Sequence, residues 1–303
     1  MFKKMKLKKN NFHLPNIAVL LTVYNGMAWI ENQIDSILLQ SEVNIDLYIS
    51  VDLSTDGSYE WCRNLSKKKD NIKILPYGDK FGGAAPNFYR LIRDVDFKDY
   101  DFISLADHDD EWLPNKLIHA VKTIKSKNVC GLSSDVSAFF NDSPDAIVKK
   151  SYAQKKFDYY FESAGPGCTY VIKIKSMLKF KKFMISNYLQ VSNITFHDWL
   201  IYAYFRENSM GWYIDDESLI RYRNHEFNTI GANLGIKAYS KRYSMIKSGW
   251  YKEQVESIIS LICRDKLSCL KFNRLSLIKN FWHLRRRPRD AFLFMLMLVT
   301  FIY

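Results

Sequence analysis

Four acidic side chains, Asp107, Asp109, Asp110 and Glu111, fall within five positions, directly behind the apolar run Ile103-Ser104-Leu105-Ala106. Such a run suits the interior of a buried strand, and adjacent like charges are costly there unless a cation neutralises them. Hard divalent ions such as Mg or Mn take oxygen ligands and complete their shell with one or two carboxylates plus substrate phosphates. The pattern therefore predicts a strand that delivers carboxylates to a cleft, with a metal held between them. Asp110 and Glu111 also suit a second role, as favourable first-turn charges on the helix expected over residues 114–126. That role leaves Asp107 and Asp109 unexplained.

The elements that would position these groups alternate. Ile17 to Tyr24 is a continuous apolar run closed by Asn25-Gly26, read as a first strand and a turn. Trp29, Ile30, Ile34, Ile37 and Leu38 follow at helical spacing. Ile45 to Val51 is a second strand, stopping at the polar loop Asp52 to Ser58, and the next helix carries Trp61 and Leu65. A short strand at Ile72 to Leu75, a loop at Phe81-Gly82-Gly83 and a helix from Asn87 to Arg93 precede the acidic strand. Strands alternating with helices imply an α/β sheet whose ligands sit beyond the carboxyl ends of the strands, where Asn25, Asp52 and Asp107 fall. Further on, Val129 to Phe140 is β-like and residues 141–163 read as irregular. Gly165-Pro166-Gly167 hinges a loop into a strand, and either lets the backbone approach a ligand or only permits a tight turn. His197-Asp198-Trp199 opens an aromatic helix, where Asp198 is either a helix N-terminal residue or a base.

Charge separates the ends from the body. The net charge is +12, yet residues 1–10 hold five Lys and no acid, and residues 236–303 hold 14 Lys/Arg against four Asp/Glu. The body between them is slightly acidic, which argues against a nucleic-acid enzyme, whose basic residues belong around the working cleft. Five scattered cysteines without a CxxC pair suit free thiols in a reducing cytoplasm. The basic start runs into Asn10-Asn11 rather than an apolar stretch, so no signal peptide is expected. The last 13 residues, Ala291 to Tyr303, are strongly apolar but short of the ~20 needed to span a bilayer. With the preceding arginines they suit either an anchor on an anionic membrane surface or a helix packed on protein.

Taken together, Ala18-Val19-Leu20-Leu21-Thr22-Val23-Tyr24-Asn25-Gly26, Ser50 to Gly57, Phe81-Gly82 and Ala106 to Trp112 resemble the glycosyltransferase family 2 module of the GT-A fold, over about residues 17–230. The Asp-x-Asp-Asp-Glu-Trp cluster, His197-Asp198-Trp199, and the segment from Tyr222-Arg223-Asn224-His225 to Ile230-Gly231-Ala232-Asn233 look most like bacterial rhamnosyltransferases of surface-polysaccharide assembly. The resemblance implies a GT-A (nucleotide-diphospho-sugar transferase, Rossmann-like) α/β fold, a mixed sheet flanked by helices. Its parts would be a basic arm at 1–16, a transferase domain at 17–235 with donor (17–127) and acceptor (128–235) halves, and a basic helical C-terminal region at 236–303. It also implies a nucleotide-diphosphate sugar donor such as dTDP-rhamnose, a divalent metal and inversion at the anomeric carbon.

Carried over by position, Thr22 and Tyr24 line the nucleotide pocket and Asp52 accepts a hydrogen bond from the pyrimidine. Asp107 faces the ribose and metal, Asp109 ligates the metal, Asp198 is the general base, and His225 approaches the metal or diphosphate. Gly167 and Trp112 are the acceptor-side candidates, Trp112 as a stacking platform. The chain departs from the common family pattern at Val51 and Leu53, and at His108, often Gln, which would be a metal-capable imidazole or a polar filler. Arg223 would pair with phosphate or with a carboxylate. The expected acceptor is a polyprenol-diphosphate-linked oligosaccharide at the cytoplasmic face of a bacterial plasma membrane, with a homo-oligomer or other assembly enzymes as partners. A sugar-phosphate nucleotidyltransferase needs a glycine-rich loop with Arg and Lys, which Thr22 to Gly26 does not supply. A non-catalytic binding module is the remaining rival.

Overall fold

The computed structural model describes residues 13–140, 143–224, 244–263, 270–300 and 303. Four parallel strands form one side of the main sheet: β1 (Asn16–Val23), β2 (Asn44–Val51), β3 (Ile72–Ile74) and β4 (Phe102–Ala106). Short strands β5 (Glu111–Trp112), β6 (Gly131–Ser134), β7 (Val136–Phe140), β8 (Ser143–Val148), β9 (Val171–Lys173), β10 (Trp212–Asp215) and β11 (Ile220–Arg223) follow. The main sheet runs β10-β6-β9-β4-β1-β2-β3, and a smaller one runs β5-β11-β7-β8. Strand β9 is antiparallel to both neighbours, which makes the main sheet mixed.

Register explains how separate loops become one site. Thr22 pairs with Ser50, and Leu21 with Ala106. The residues that follow these strands, Tyr24, Asp52 and Asp107, therefore emerge along one edge. The apolar runs are continuous because both sheet faces are covered. Ala18 and Leu20 face one core with α3 (Ala84–Asp94), α5 (Ile174–Ser186) and α7 (His197–Glu207). Ile17, Val19, Leu21 and Val23 face the other, with α1 (Ile30–Leu38), α2 (Ser58–Ser66) and α4 (Lys116–Ser126). A one-turn helix, α6, spans Tyr188–Val191.

The C-terminal helices α8 (Trp250–Ile262), α9 (Arg274–Lys279) and α10 (Pro288–Val299) continue the first core through Val255, Ile258, Leu277 and Phe294. Arg286 turns inward from the basic run: its Nη1 donates to Asp158 Oδ2 at 3.1 Å, and its backbone N–H to Glu162 Oε1 at 2.6 Å. Arg206 and the Tyr202 hydroxyl, both on α7, complete the Asp158 shell at 3.1 and 2.9 Å. Burial still pushes the Asp158 carboxyl up, with Arg286 and Arg206 opposing it.

Four expectations change. Asp110 and Glu111 do not start the following helix, which begins at Lys116 with no acid in its first turn; Glu111 lies in β5, paired with β11. The β-like stretch after Val129 divides between two sheets, as β6 and β7. Residues 143–148 of the supposedly irregular segment pair antiparallel with β7. Cys62, Cys130 and Cys168 are free thiols, whereas Cys263 is disulfide-bonded.

Candidate active site

The acidic loop after β4 is crowded. Asp109 and Asp110 are buried, and Asp107 is half-buried. Burial, then the charges of Asp109 and Asp198, push the Asp107 carboxyl up to about 8. Burial, Asp109 and Asp107 likewise push Asp110 well above the carboxylate range. A carboxylate oxygen of each and the Cys168 sulfur lie within 4.8 Å of one another. Asp110 Oδ1 accepts the Arg223 backbone N–H at 3.3 Å, and its Oδ2 is buried with no partner among the described residues. Two mutually repelling carboxylates and a bare buried oxygen fit a hard divalent cation, which would relieve the repulsion and fill the empty acceptor position.

Among the described residues, ligand atoms gather on Asp107, Asp110 and Cys168, and beside them the buried Asp109 offers its carbonyl to Arg223 Nε at 3.0 Å. The same guanidinium donates to Glu111 Oε1 at 2.8 Å, and Arg221 donates to Glu111 Oε2 at 2.6 Å. Arg223 thus braces the acidic loop from β11, with Glu111 as its carboxylate partner. His225 and the 230–233 segment lie outside the described residues.

Beneath the loop sits a lysine that the sequence did not single out. Lys116 is 4% exposed, and its Nζ donates to Ser104 Oγ at 3.0 Å and to the Cys168 carbonyl at 3.2 Å. The same Nζ lies 3.2 Å from the centre of the Trp112 ring. Burial lowers this amine to about 7, opposed by the charges of Cys168 and Asp110. Trp112 is 3% exposed and packed in the core, so its ring is not a platform open to a sugar. Nothing in the local sequence separates Lys116 from an ordinary solvated lysine at a helix start. Cys168 reaches the cluster only because β9 inserts beside β4.

On the nucleotide side Thr22 is buried and Tyr24 is exposed. Asp52 is buried and accepts three backbone N–H groups, from Leu53 and Phe81 at 2.7 Å and from Gly82 at 2.9 Å. It therefore pins the Phe81-Gly82 loop against the end of β2. Asn25, at φ 45, takes the left-handed backbone that Asn tolerates and accepts from the Thr55 N–H at 2.9 Å, lacing the first two loops together. His108 packs on Gly26, where an added Cβ would stand 2.6 Å from His108 Cδ2. The residues after β1 and β2 thus form one braced rim.

The opposite wall belongs to α7. Asp198, in its first turn, has its carboxyl raised to about 6 by burial, against hydrogen bonds from the Trp199 N–H and Ser163. Its charge is felt by Asp107 and by the buried hydroxyls of Tyr89 and Tyr170, so two carboxylates from distant segments converge. His197 beside it is buried, stacked on Phe88 at 4.0 Å, and held neutral by burial, which lowers it to about 3. Gly167 touches this histidine: a Cβ there would lie 2.4 Å from His197 Nε2. The glycine serves a close approach, of the His197 ring.

A mixed sheet with an acidic loop beyond a central parallel strand, faced by a carboxylate at a helix start, defines the GT-A class of nucleotide-sugar transferases. The mannosyltransferase PcManGT from Pyrobaculum calidifontis, solved in complex with GDP-Man and Mn2+, shares this fold with a TM-score of 0.52 at 12% identity, over 96% of this chain and 86% of that one. Residues 18–184 match the model of glycosyl transferase family 2. The chain is 40% identical to a dTDP-rhamnosyl transferase, RfbG, of Shigella flexneri, over 93% of this chain and 100% of that protein. It is 24% identical to the UDP-Glc:alpha-D-GlcNAc-diphosphoundecaprenol beta-1,3-glucosyltransferase WfgD of Escherichia coli, over 54% of this chain and 61% of that protein. The chain belongs to glycosyltransferase family 2, and it is a glycosyltransferase.

Proposed function

We propose that the chain transfers a rhamnosyl group from dTDP-rhamnose, with inversion, to a lipid-linked oligosaccharide of surface-polysaccharide synthesis at the cytoplasmic face of a membrane. Full-length similarity to a dTDP-rhamnosyl transferase supports the donor, and similarity to a transferase acting on a diphosphoundecaprenol-linked sugar supports the acceptor. Residues 17–127 would hold the nucleotide, with Thr22, Tyr24 and Asp52 beside it and Asp107 facing the ribose and metal. Residues 128–235 would carry the acceptor side.

The observation that carries the reading is Asp198, a carboxyl raised to about 6 by burial whose charge reaches Asp107 of the acidic loop. Glycosyl transfer by inversion needs the acceptor hydroxyl to lose its proton while attacking the face of the sugar opposite the leaving group. Asp198 is largely ionised at neutral pH and basic enough to take that proton, and the Trp199 N–H at 2.8 Å fixes its orientation. When bound, a divalent ion held by Asp107 and Asp110, with Asp109 adjacent, would offset the charge growing on the departing nucleoside diphosphate. Arg223 and Glu111 keep that loop in place, and Lys116 holds the strand beneath it.

Asp198→Asn tests the assignment. It should abolish transfer from dTDP-rhamnose to the lipid-linked acceptor while donor binding, measured by calorimetry, stays within a few fold. Transfer at the unmodified rate would remove Asp198 as the base. A wild-type chain that turns over another nucleotide sugar but not dTDP-rhamnose would remove the donor assignment.

A further inference from the structure

Helix α10 is apolar on two opposite sides. Ala291, Phe294 and Leu298 form the stripe that enters the core, with Phe294 5.4 Å from the Phe161 ring centre. On the other side Phe292, Leu296 and Val299 recur at intervals of four and three, with Leu293 beside them, and all four are exposed. Trp282 extends this outer stripe, its ring 5.5 Å from that of Phe292, and exposed Leu275 projects from neighbouring α9. A helix apolar all round belongs in a protein interior or against lipid, and packing accounts for only one side of this one.

The edges of the patch say what covers the other. Lys155 places its Nζ 5.2 Å from the centre of the Trp282 ring. Lys279 stands one turn beyond Leu275, and Arg289 one turn before Leu293. Residues 270–300 hold seven Lys/Arg against a single acid, Asp290; Arg285 and Arg286 turn inward, and Arg274 donates to the Tyr303 carbonyl at 3.0 Å. An apolar stripe with an aromatic residue at its rim and cations flanking it is complementary to the acyl boundary and headgroups of an anionic bilayer. A second copy of the chain would set the same cations against themselves across a two-fold axis. No described helix is long and apolar enough to cross a membrane, so the stripe would lie in the interface plane.

We infer that the outer face of α9 and α10, centred on Phe292, Leu293 and Leu296, is a docking surface for an anionic lipid bilayer. This goes beyond the transfer reaction and is tested without donor or acceptor, so failure of either reading leaves the other standing. The probe is co-sedimentation of the full chain with vesicles of equimolar phosphatidylglycerol and phosphatidylcholine, against vesicles of phosphatidylcholine alone. The chain should partition onto the anionic vesicles, and less so as ionic strength rises. Leu293→Glu/Leu296→Glu should weaken that partitioning at least tenfold with an unchanged denaturation midpoint. Leu39→Glu, an exposed leucine at the end of α1, should leave it unchanged. Absence of binding to anionic vesicles, or equal binding by the double variant, would overturn the inference. So would a concentration-dependent dimer that the double variant dissociates, because the face would then be a contact between copies.

Discussion

Replacing Gly167 by alanine isolates the contact that sets the wall of the site. The backbone there is not in the left-handed region, so any cost is steric and falls on one neighbour. The added Cβ would stand 2.4 Å from His197 Nε2 and 3.1 Å from Cε1, where ordinary contact begins near ~3.5 Å. The imidazole has to retreat by roughly 1 Å, and the Phe88 ring stacked at 4.0 Å stands in its way. Overpacking of this kind costs about 1–3 kcal/mol, which urea denaturation resolves. Because Asp198 is the next residue, displacing the ring should also lower kcat more than it changes the KM for donor. The decisive measurement is a double-mutant cycle with His197→Ala. Removing the imidazole removes the clash, so Gly167→Ala should then cost less than about 0.5 kcal/mol. An equal cost in both backgrounds would show that Gly167 answers to something other than His197, and the account of that wall would fail.

Further outcomes follow from the buried charges. With Asp198 as base and a carboxyl near 6, the transfer rate should fall about tenfold per pH unit below that value, measured as a pH profile of kcat at saturating donor; a flat profile to pH 5 would contradict it. His197 is neutral in the fold, lowered to about 3, so its stabilisation is complete above the ordinary histidine range and is lost as pH falls through it. Between pH 6.5 and 5 the unmodified chain should therefore lose up to about 2 kcal/mol more than His197→Phe does in urea denaturation. Arg286→Met removes one of the two cations on buried Asp158 and should cost about 3 kcal/mol; exposed Arg289→Met should stay within about 0.5 kcal/mol. Mn2+ binding without donor, read by calorimetry, should weaken at least tenfold in Asp110→Asn, and an unchanged affinity would remove Asp110 as a ligand.

The parallel half of the sheet was legible in the sequence because burial on both faces writes itself as uninterrupted apolar runs, and the loops that close them announce the site edge. Strand β5 was not legible. It is two residues long and exists only by pairing with β11, more than a hundred residues away, so Asp110 and Glu111 resembled helix-start acids. The arrival of Cys168 at the acidic loop is a similar long-range effect: β9, inserted antiparallel beside β4, brings it to Asp107 and Asp110. The burial of Lys116 depends on Ser104 and a distant carbonyl, and no local pattern encodes it. Trp112, placed beside the acids by sequence, is turned into the core because β5 faces α1 and α4. The helix that opens at His197-Asp198 was legible, in contrast, from its aromatic spacing, and Asp198 does lie in its first turn, near enough for its charge to act on Asp107.

The Arg286 contact with Asp158 joins the C-terminal helices to the helix that carries Asp198. Asp158 also holds Tyr202 and Arg206, one and two turns along α7 from Asp198. Trimming the polypeptide before residue 285 would leave that carboxylate short of one counter-ion and expose the underside of α7. What looks like an appendage in a linear map is thus a foundation stone of α7, and shortened versions built on the family match alone would begin life with that helix unsupported.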